Sequence, residues 1–234
     1  MRVAQRAARH FASVAPPWPD AALPLAAAAA PPPAWCVDGA VFQAEAAALF
    51  PRWWHPVAPA ADLAVGGGAA AVGARVAGQP LLVTTGGGGA GRLACFENAC
   101  PHQGSLLAPL NGQGCPLPDA TLTCKYHGWR FRADGRLAAA PGVGGIESFQ
   151  AKAWGLRPGG TAASWGAVVF AALGQGGDGS DDLAPPVSPS ASAALAAAGI
   201  PTTPDAAARY AVVARRTFTV RANWKVVVAN YCDG

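Results

Sequence analysis

Four side chains suited to holding soft metals come in two mixed pairs, Cys100-Pro-His102 and Cys124-Lys-Tyr-His127. Each pair sets one thiol and one imidazole a few residues apart, and a glycine follows each, Gly104 and Gly128. Two Cys and two His delivered this way suit a [2Fe–2S] cluster whose thiolates bind one iron and whose imidazoles bind the other. Such a centre stores single electrons. The same donors also suit a structural zinc ion. Zinc motifs generally pair like with like, Cys with Cys and His with His. The alternation within each loop, the glycines and the β context favour the iron–sulfur reading. Residues 103–123 separate the pairs, with the excess length expected in a Gly/Pro-rich loop, Asn111–Asp119.

The rest of the composition narrows the class. The chain has 234 residues, 17 Lys and Arg against 13 Asp and Glu, and a formal charge of +4. No Lys/Arg run with interleaved aromatics occurs, which sets nucleic acid aside as a partner. Outside the two pairs, Cys36, Cys95, Cys115 and Cys232 have no regular spacing and read as free thiols of a reducing compartment. Residues 1–33 carry Arg2, Arg6 and Arg9 against one acid, Asp20. Pro16, Pro17, Pro19 and Pro24 interrupt the apolar part, so it suits neither a secretory core nor a membrane span. No membrane span is expected elsewhere. An Arg-rich, acid-poor start fits an organellar transit peptide, and residues 1–35 are assigned to it or to a disordered tail.

The donors need a scaffold, and the pattern predicts a mainly β one. Phe42, Ala46, Leu49, Phe50 and Trp53 recur at helical spacing, predicting a lead-in helix within 40–55 that stops near Pro51. Residues 53–173 read as short strands: Arg75-Val76, Pro80–Thr85, Leu93–Phe96, Leu122–Cys124, Trp129–Arg132 and Ala167–Leu173. Gly86–Gly91 marks a turn or loop, and Asp134-Gly135 a hairpin turn. Both donor pairs fall on loops at strand ends, where ligands can converge. Residues 174–204 read as a linker or loosely ordered insertion. Tyr210–Val220 is expected to be a strand. Asn223 is expected to cap a helix with the stripe Trp224, Val227, Val228 and Tyr231, with Asn230 and Asp233 on another face.

The stretches Glu97–Ala108 (ENACPHQGSLLA) and Cys124–Trp129 (CKYHGW) resemble the Rieske domain of ring-hydroxylating-type non-haem iron oxygenase α subunits. Asn223–Gly234 (NWKVVVANYCDG) looks like the start of their catalytic domain. Within that superfamily the chain is most similar to the plastid choline monooxygenases of plants, which share the Ser-Leu-Leu-Ala run and the Asn-Trp-Lys…Asn-Tyr-x-Asp-Gly pattern. The resemblance covers about residues 40–173 and 205–234. It implies an antiparallel Rieske [2Fe–2S] β domain at 53–173, held by Cys100, His102, Cys124 and His127. The truncated start of an α+β, helix-grip-like catalytic domain follows at 205–234.

It also implies a reaction: reduced ferredoxin supplies electrons, and a mononuclear Fe(II) activates O2 to oxidise choline or a similar molecule to betaine aldehyde hydrate. In a homotrimer, the cluster of one subunit serves its neighbour's iron through a bridging carboxylate, near which Asp233 falls. The expected compartment is the chloroplast stroma. Respiratory Rieske proteins add a disulfide between the ligand loops. Ser105 and Tyr126 stand at those positions here, which implies a potential at the low end of the range, about −150 mV. Trp129 reads as a hydrophobic lid on the loops. Beyond the cluster ligands the only histidines are His10 and His55, so the mononuclear iron is expected only in a longer protein. Two other readings are a stand-alone Rieske electron carrier and a plastid Rieske oxygenase for another substrate, such as a chlorophyll breakdown product. Gln103, where those last relatives usually carry Arg, counts against the second.

Overall fold

The computed structural model describes Pro24, Ala26 and residues 30–64, 68–85, 93–173, 187–203 and 210–232. Most of the expected transit segment, the Gly86–Gly91 turn, residues 174–186 and Asp233 lie outside them. The chain divides into two compact units, Met1–Pro51 with Ala214–Gly234, and Arg52–Val213.

Three antiparallel sheets build the larger unit. Strands β1 (His55–Pro59), β10 (Val168–Ala172) and β9 (Thr161–Trp165) form the first. The second runs β4 (Leu93–Glu97), β3 (Gln79–Thr85), β2 (Ala70–Val76), β5 (Gly114–Pro116). The third is β6 (Thr121–Thr123), β7 (Arg130–Arg132), β8 (Leu137–Ala139). The second sheet is buried on both faces because successive strand residues point opposite ways. Val72, Val76, Leu81 and Val83 pack toward the first sheet, against Val169 and Ala171. Ala71 and Leu82 pack with Leu122 and Phe131 of the third sheet. Thr84 lies on that same face, and its buried hydroxyl donates to Ala133 O at 2.7 Å, tying β3 to the turn between β7 and β8. The Asp134-Gly135 signal forms that turn: Gly135 has φ +83° and Asp134 accepts from Arg136 N.

Some elements differ from expectation. Strand β2 extends back to Ala70 through a small-residue run with little β propensity of its own. The smallness is needed: a Cβ on Gly73 would lie 2.3 Å from Pro109 O, so backbone lies directly on the strand. The Asn111–Asp119 loop contains β5, and the 174–204 stretch contains helix α3, Pro189–Ala197, started by a Ser188 cap and Pro189 at the first turn. Tyr210–Val220 forms no strand and joins none of the three sheets; Val213 and Phe218 are exposed.

In the smaller unit, α1 (Ala34–Val37) precedes α2 (Gly39–Ala48), capped by Asp38. A 3-10 turn, Phe50–Arg52, follows. The buried face of α2 is Val41, Ala44, Glu45 and Ala48, not the one centred on Phe42, which is 39% exposed. The reason is an ion pair that the apolar pattern hides. Glu45 accepts from Trp224 Nε1 at 2.9 Å and from Lys225 Nζ at 2.5 and 2.7 Å. Trp224 opens α4 (Trp224–Cys232); Asn223 accepts from Lys225 N as expected, and Phe50 meets the Trp224 ring edge-on. Of the rest of the anticipated α4 stripe, Val227 is half-buried while Val228 and Tyr231 are exposed, Tyr231 at 84%.

A buried carboxylate that loses its only cation is costly, whereas replacing both partners with neutral groups is cheap. Lys225→Met is expected to destabilise the α2–α4 unit by about 3 kcal/mol. Adding Glu45→Gln should recover most of that loss, measured by hydrogen exchange of the two helices. Equal losses in the single and double variants would contradict the assignment.

Candidate metal centre

Both donor loops have the same backbone design. In the first, Cys100 N donates to Ser105 O and Gly104 N to Cys100 O, both at 2.8 Å. In the second, Cys124 N donates to Trp129 O at 2.8 Å and Gly128 N to Cys124 O at 3.0 Å. The glycine four residues after each Cys has φ +72° in both loops. A Cβ at Gly104 would touch nothing, so conformation and not space calls for glycine there. The loops differ in the offset of histidine, two residues after Cys100 and three after Cys124.

The second loop joins β6 to β7 and the first follows β4, so separate sheets must bring them together. Asn98, fully buried, closes the neck of the first loop. Its Oδ1 accepts from Leu107 N and Ala108 N at 3.0 Å, its Nδ2 donates to Ala108 O at 2.8 Å, and its backbone N donates to Pro80 O on β3. Nothing in the periodicity singled Asn98 out. A polar amide two residues before a ligand in an apolar run is the only sequence signal.

The four expected ligands do come together, in two pairs. The thiols of Cys100 and Cys124 interact and are both 2% exposed. The rings of His102 and His127 meet edge-on at 4.7 Å between centroids, and His127 is exposed. Burial pushes the Cys100 thiol up; N–H groups of His102 and Gln103 work against this, and the neighbouring Cys124 adds to it. Burial also raises Cys124, but hydrogen bonds from Tyr126 N–H, His127 N–H and the Cys100 and Ser105 side chains bring it below its ordinary value. Each sulfur therefore faces two backbone N–H donors, which is how a protein stabilises metal-bound thiolate or sulfide. A thiol pair and an imidazole pair suit a two-iron cluster in which the thiolates hold one iron and the imidazoles the other.

Trp129, 3% exposed, stacks on the His102 ring at 4.6 Å and 2°. Trp154 and Phe149 pack edge-on against Trp129. It thus lies beneath one imidazole as well as covering the loops. The described cysteines are free thiols, so no disulfide joins the loops. Cys95 sits in the other core, where burial pushes its thiol up to about 12. His55 lies on β1, while Asp233 and His10 lie outside the described residues.

Residues 53–150 match the family model of the Rieske [2Fe-2S] domain, the class of module that this fold and loop pair define. More particularly, the chain is similar to the oxygenase subunits of Rieske monooxygenases. It is 28% identical over 227 residues to the chloroplastic choline monooxygenase of Arabidopsis thaliana, covering 92% of this chain and 49% of that one. It is 28% identical over 221 residues to the carnitine monooxygenase oxygenase subunit of Escherichia coli K12, covering 92% and 54%. Among solved structures, the quaternary ammonium Rieske monooxygenase CntA with gamma-butyrobetaine superposes at a TM-score of 0.66, with 27% identity over 86% of this chain and 52% of that one. The chain spans about half the length of the curated relatives it matches.

Asn98→Ala should leave two amides and a carbonyl unpaired in the loop neck, at about 1–3 kcal/mol for each buried group left unsatisfied. The expected result is a lower urea midpoint and poorer iron uptake on reconstitution. Wild-type values for both would show that the loop neck does not depend on Asn98.

Proposed function

We propose that this chain is the cluster-bearing part of a Rieske monooxygenase acting on a quaternary ammonium compound, with choline the first candidate. The observation that carries the reading is the convergence of two loops of one backbone design, a buried thiol pair behind and an imidazole pair in front. Cys100 and Cys124 would hold one iron, His102 and His127 the other. When bound, the cluster supplies one-electron storage. The chain's own residues exclude water from the sulfur end, direct His102, Gln103, Tyr126 and His127 N–H groups toward the sulfurs, and leave the His127 end open to a donor.

Reduced ferredoxin is the proposed donor. Hydroxylation with O2 is proposed for a mononuclear Fe(II) site in the half of the relatives that this chain does not cover, with a homotrimer as the working assembly. The chloroplastic plant relatives support a chloroplast location and choline as substrate.

Replacing imidazole by thiolate removes the feature that raises a Rieske potential above that of a plant-type ferredoxin. The His102→Cys/His127→Cys variant, reconstituted with iron and sulfide, should therefore fall by roughly 250 mV in a redox titration. A wild-type chain that binds zinc without visible absorption, or a variant with an unshifted potential, would overturn the assignment. In a full-length protein, O2 uptake with ferredoxin should depend on choline, and dependence on another trimethylated amine would replace choline as the substrate.

A further inference from the structure

Trp129 does two separable things. Its backbone carbonyl closes the second donor loop by accepting from Cys124 N at 2.8 Å. Its indole serves the first loop instead, lying flat under the His102 ring at 4.6 Å between centroids and 2° between planes. That indole is itself braced. Trp154 meets it edge-on at 5.4 Å and 74°, and Phe149 at 6.0 Å and 89°. The two bracing rings stack on each other at 17°. Trp154 ends the 3-10 turn Ala151–Trp154, and Phe149 stands just before it, so one short segment supplies both. The other imidazole is held differently. His127 is exposed, and its ring meets the edge of His102 and the side chain of Tyr126, which is 64% exposed.

We propose that Trp129, braced by Phe149 and Trp154, is a positioning residue for His102, so that the two imidazoles offered to a cluster are inequivalent, one locked in a single plane and the other able to tilt. This rests on the Rieske reading of the site. A ring lying flat on an indole cannot turn about its Cβ–Cγ bond without driving an edge into that indole. The indole cannot yield without displacing two further rings in a close-packed core. Groups behind a metal ligand set its orientation in this way, and a ligand already held in place need not rearrange when an electron arrives. A simple lid would need only apolar volume at position 129. Positioning needs a flat ring there, and the 2° angle is the observation that separates the two.

The test uses the whole chain reconstituted with iron and sulfide. It compares Trp129→Phe, which keeps a flat ring, with Trp129→Leu, which keeps an apolar side chain without one. Both leave the backbone carbonyl that closes the second loop. Pulsed electron paramagnetic resonance of the reduced chain reads the couplings of the two histidine nitrogens, and His102→Ala assigns them. The wild type should show a narrow spread of coupling for His102 and a wider one for His127. Trp129→Leu should widen the His102 spread, Trp129→Phe should keep it narrow, and the His127 spread should not change. Loss of visible absorption to a chelator should be about tenfold faster in Trp129→Leu and close to wild type in Trp129→Phe. Should neither variant take up iron, Phe149→Leu removes one ring of the brace and should widen the His102 spread alone. A His102 spread that stays narrow in Trp129→Leu, or widens equally in both Trp129 variants, would overturn the positioning role and leave the Rieske assignment standing. So would an unchanged His102 spread in Phe149→Leu. A wild-type chain with no coupled nitrogen would remove both.

Discussion

Two loops rooted in different sheets bring two thiols together and two imidazoles together, and the hydrogen bonds of Asn98 and Thr84 hold that arrangement. Asn98 closes the first loop with three side-chain bonds and anchors its own backbone to β3. Thr84, on the same strand, holds the turn of the second loop's hairpin. Both side chains are buried, where a polar group without a partner is expensive, so the loops can leave this arrangement only by breaking several bonds together. Strand β3 thereby serves as the common reference for both halves of the site.

The site is polarised from dry to wet. The sulfur end lies in the core that also holds Leu107, Leu122, Trp129 and Phe131, while His127 is exposed. A low-dielectric sulfur end strengthens each N–H dipole aimed at it. The wet imidazole end gives a partner a short approach. Trp129 stacked under His102 fixes one ring of that pair, and Tyr126 lies against the other. Gly104 and Gly128 allow the reversals that turn the backbone amides inward.

The convergence of Cys100, His102, Cys124 and His127 was legible in the sequence because metal chemistry restricts residue type and spacing more sharply than packing does. The hairpin at Asp134-Gly135 and the cap at Asn223 were legible for a similar reason, each being a local rule with a local cause. Less visible was what depends on distant partners. The first part of β2 is a run of small residues around Val72, and its Gly73 is required by the backbone lying on it. The buried face of α2 is centred on a glutamate whose partners, Trp224 and Lys225, stand far along the chain. Tyr210–Val220 is rich in β-branched and aromatic residues, yet composition gives no neighbour to pair with. Helix α3 arises from Ser188 and Pro189 in a stretch whose composition reads as linker.

Pulsed electron paramagnetic resonance of the reduced, reconstituted chain addresses the central claim most directly, because it counts nitrogen ligands on the cluster. Two strongly coupled histidine nitrogens are expected in the wild type and a loss of one of them in His102→Ala. A cluster with no coupled nitrogen, or a spectrum unchanged in His102→Ala, would contradict the mixed Cys/His ligation on which the functional reading stands.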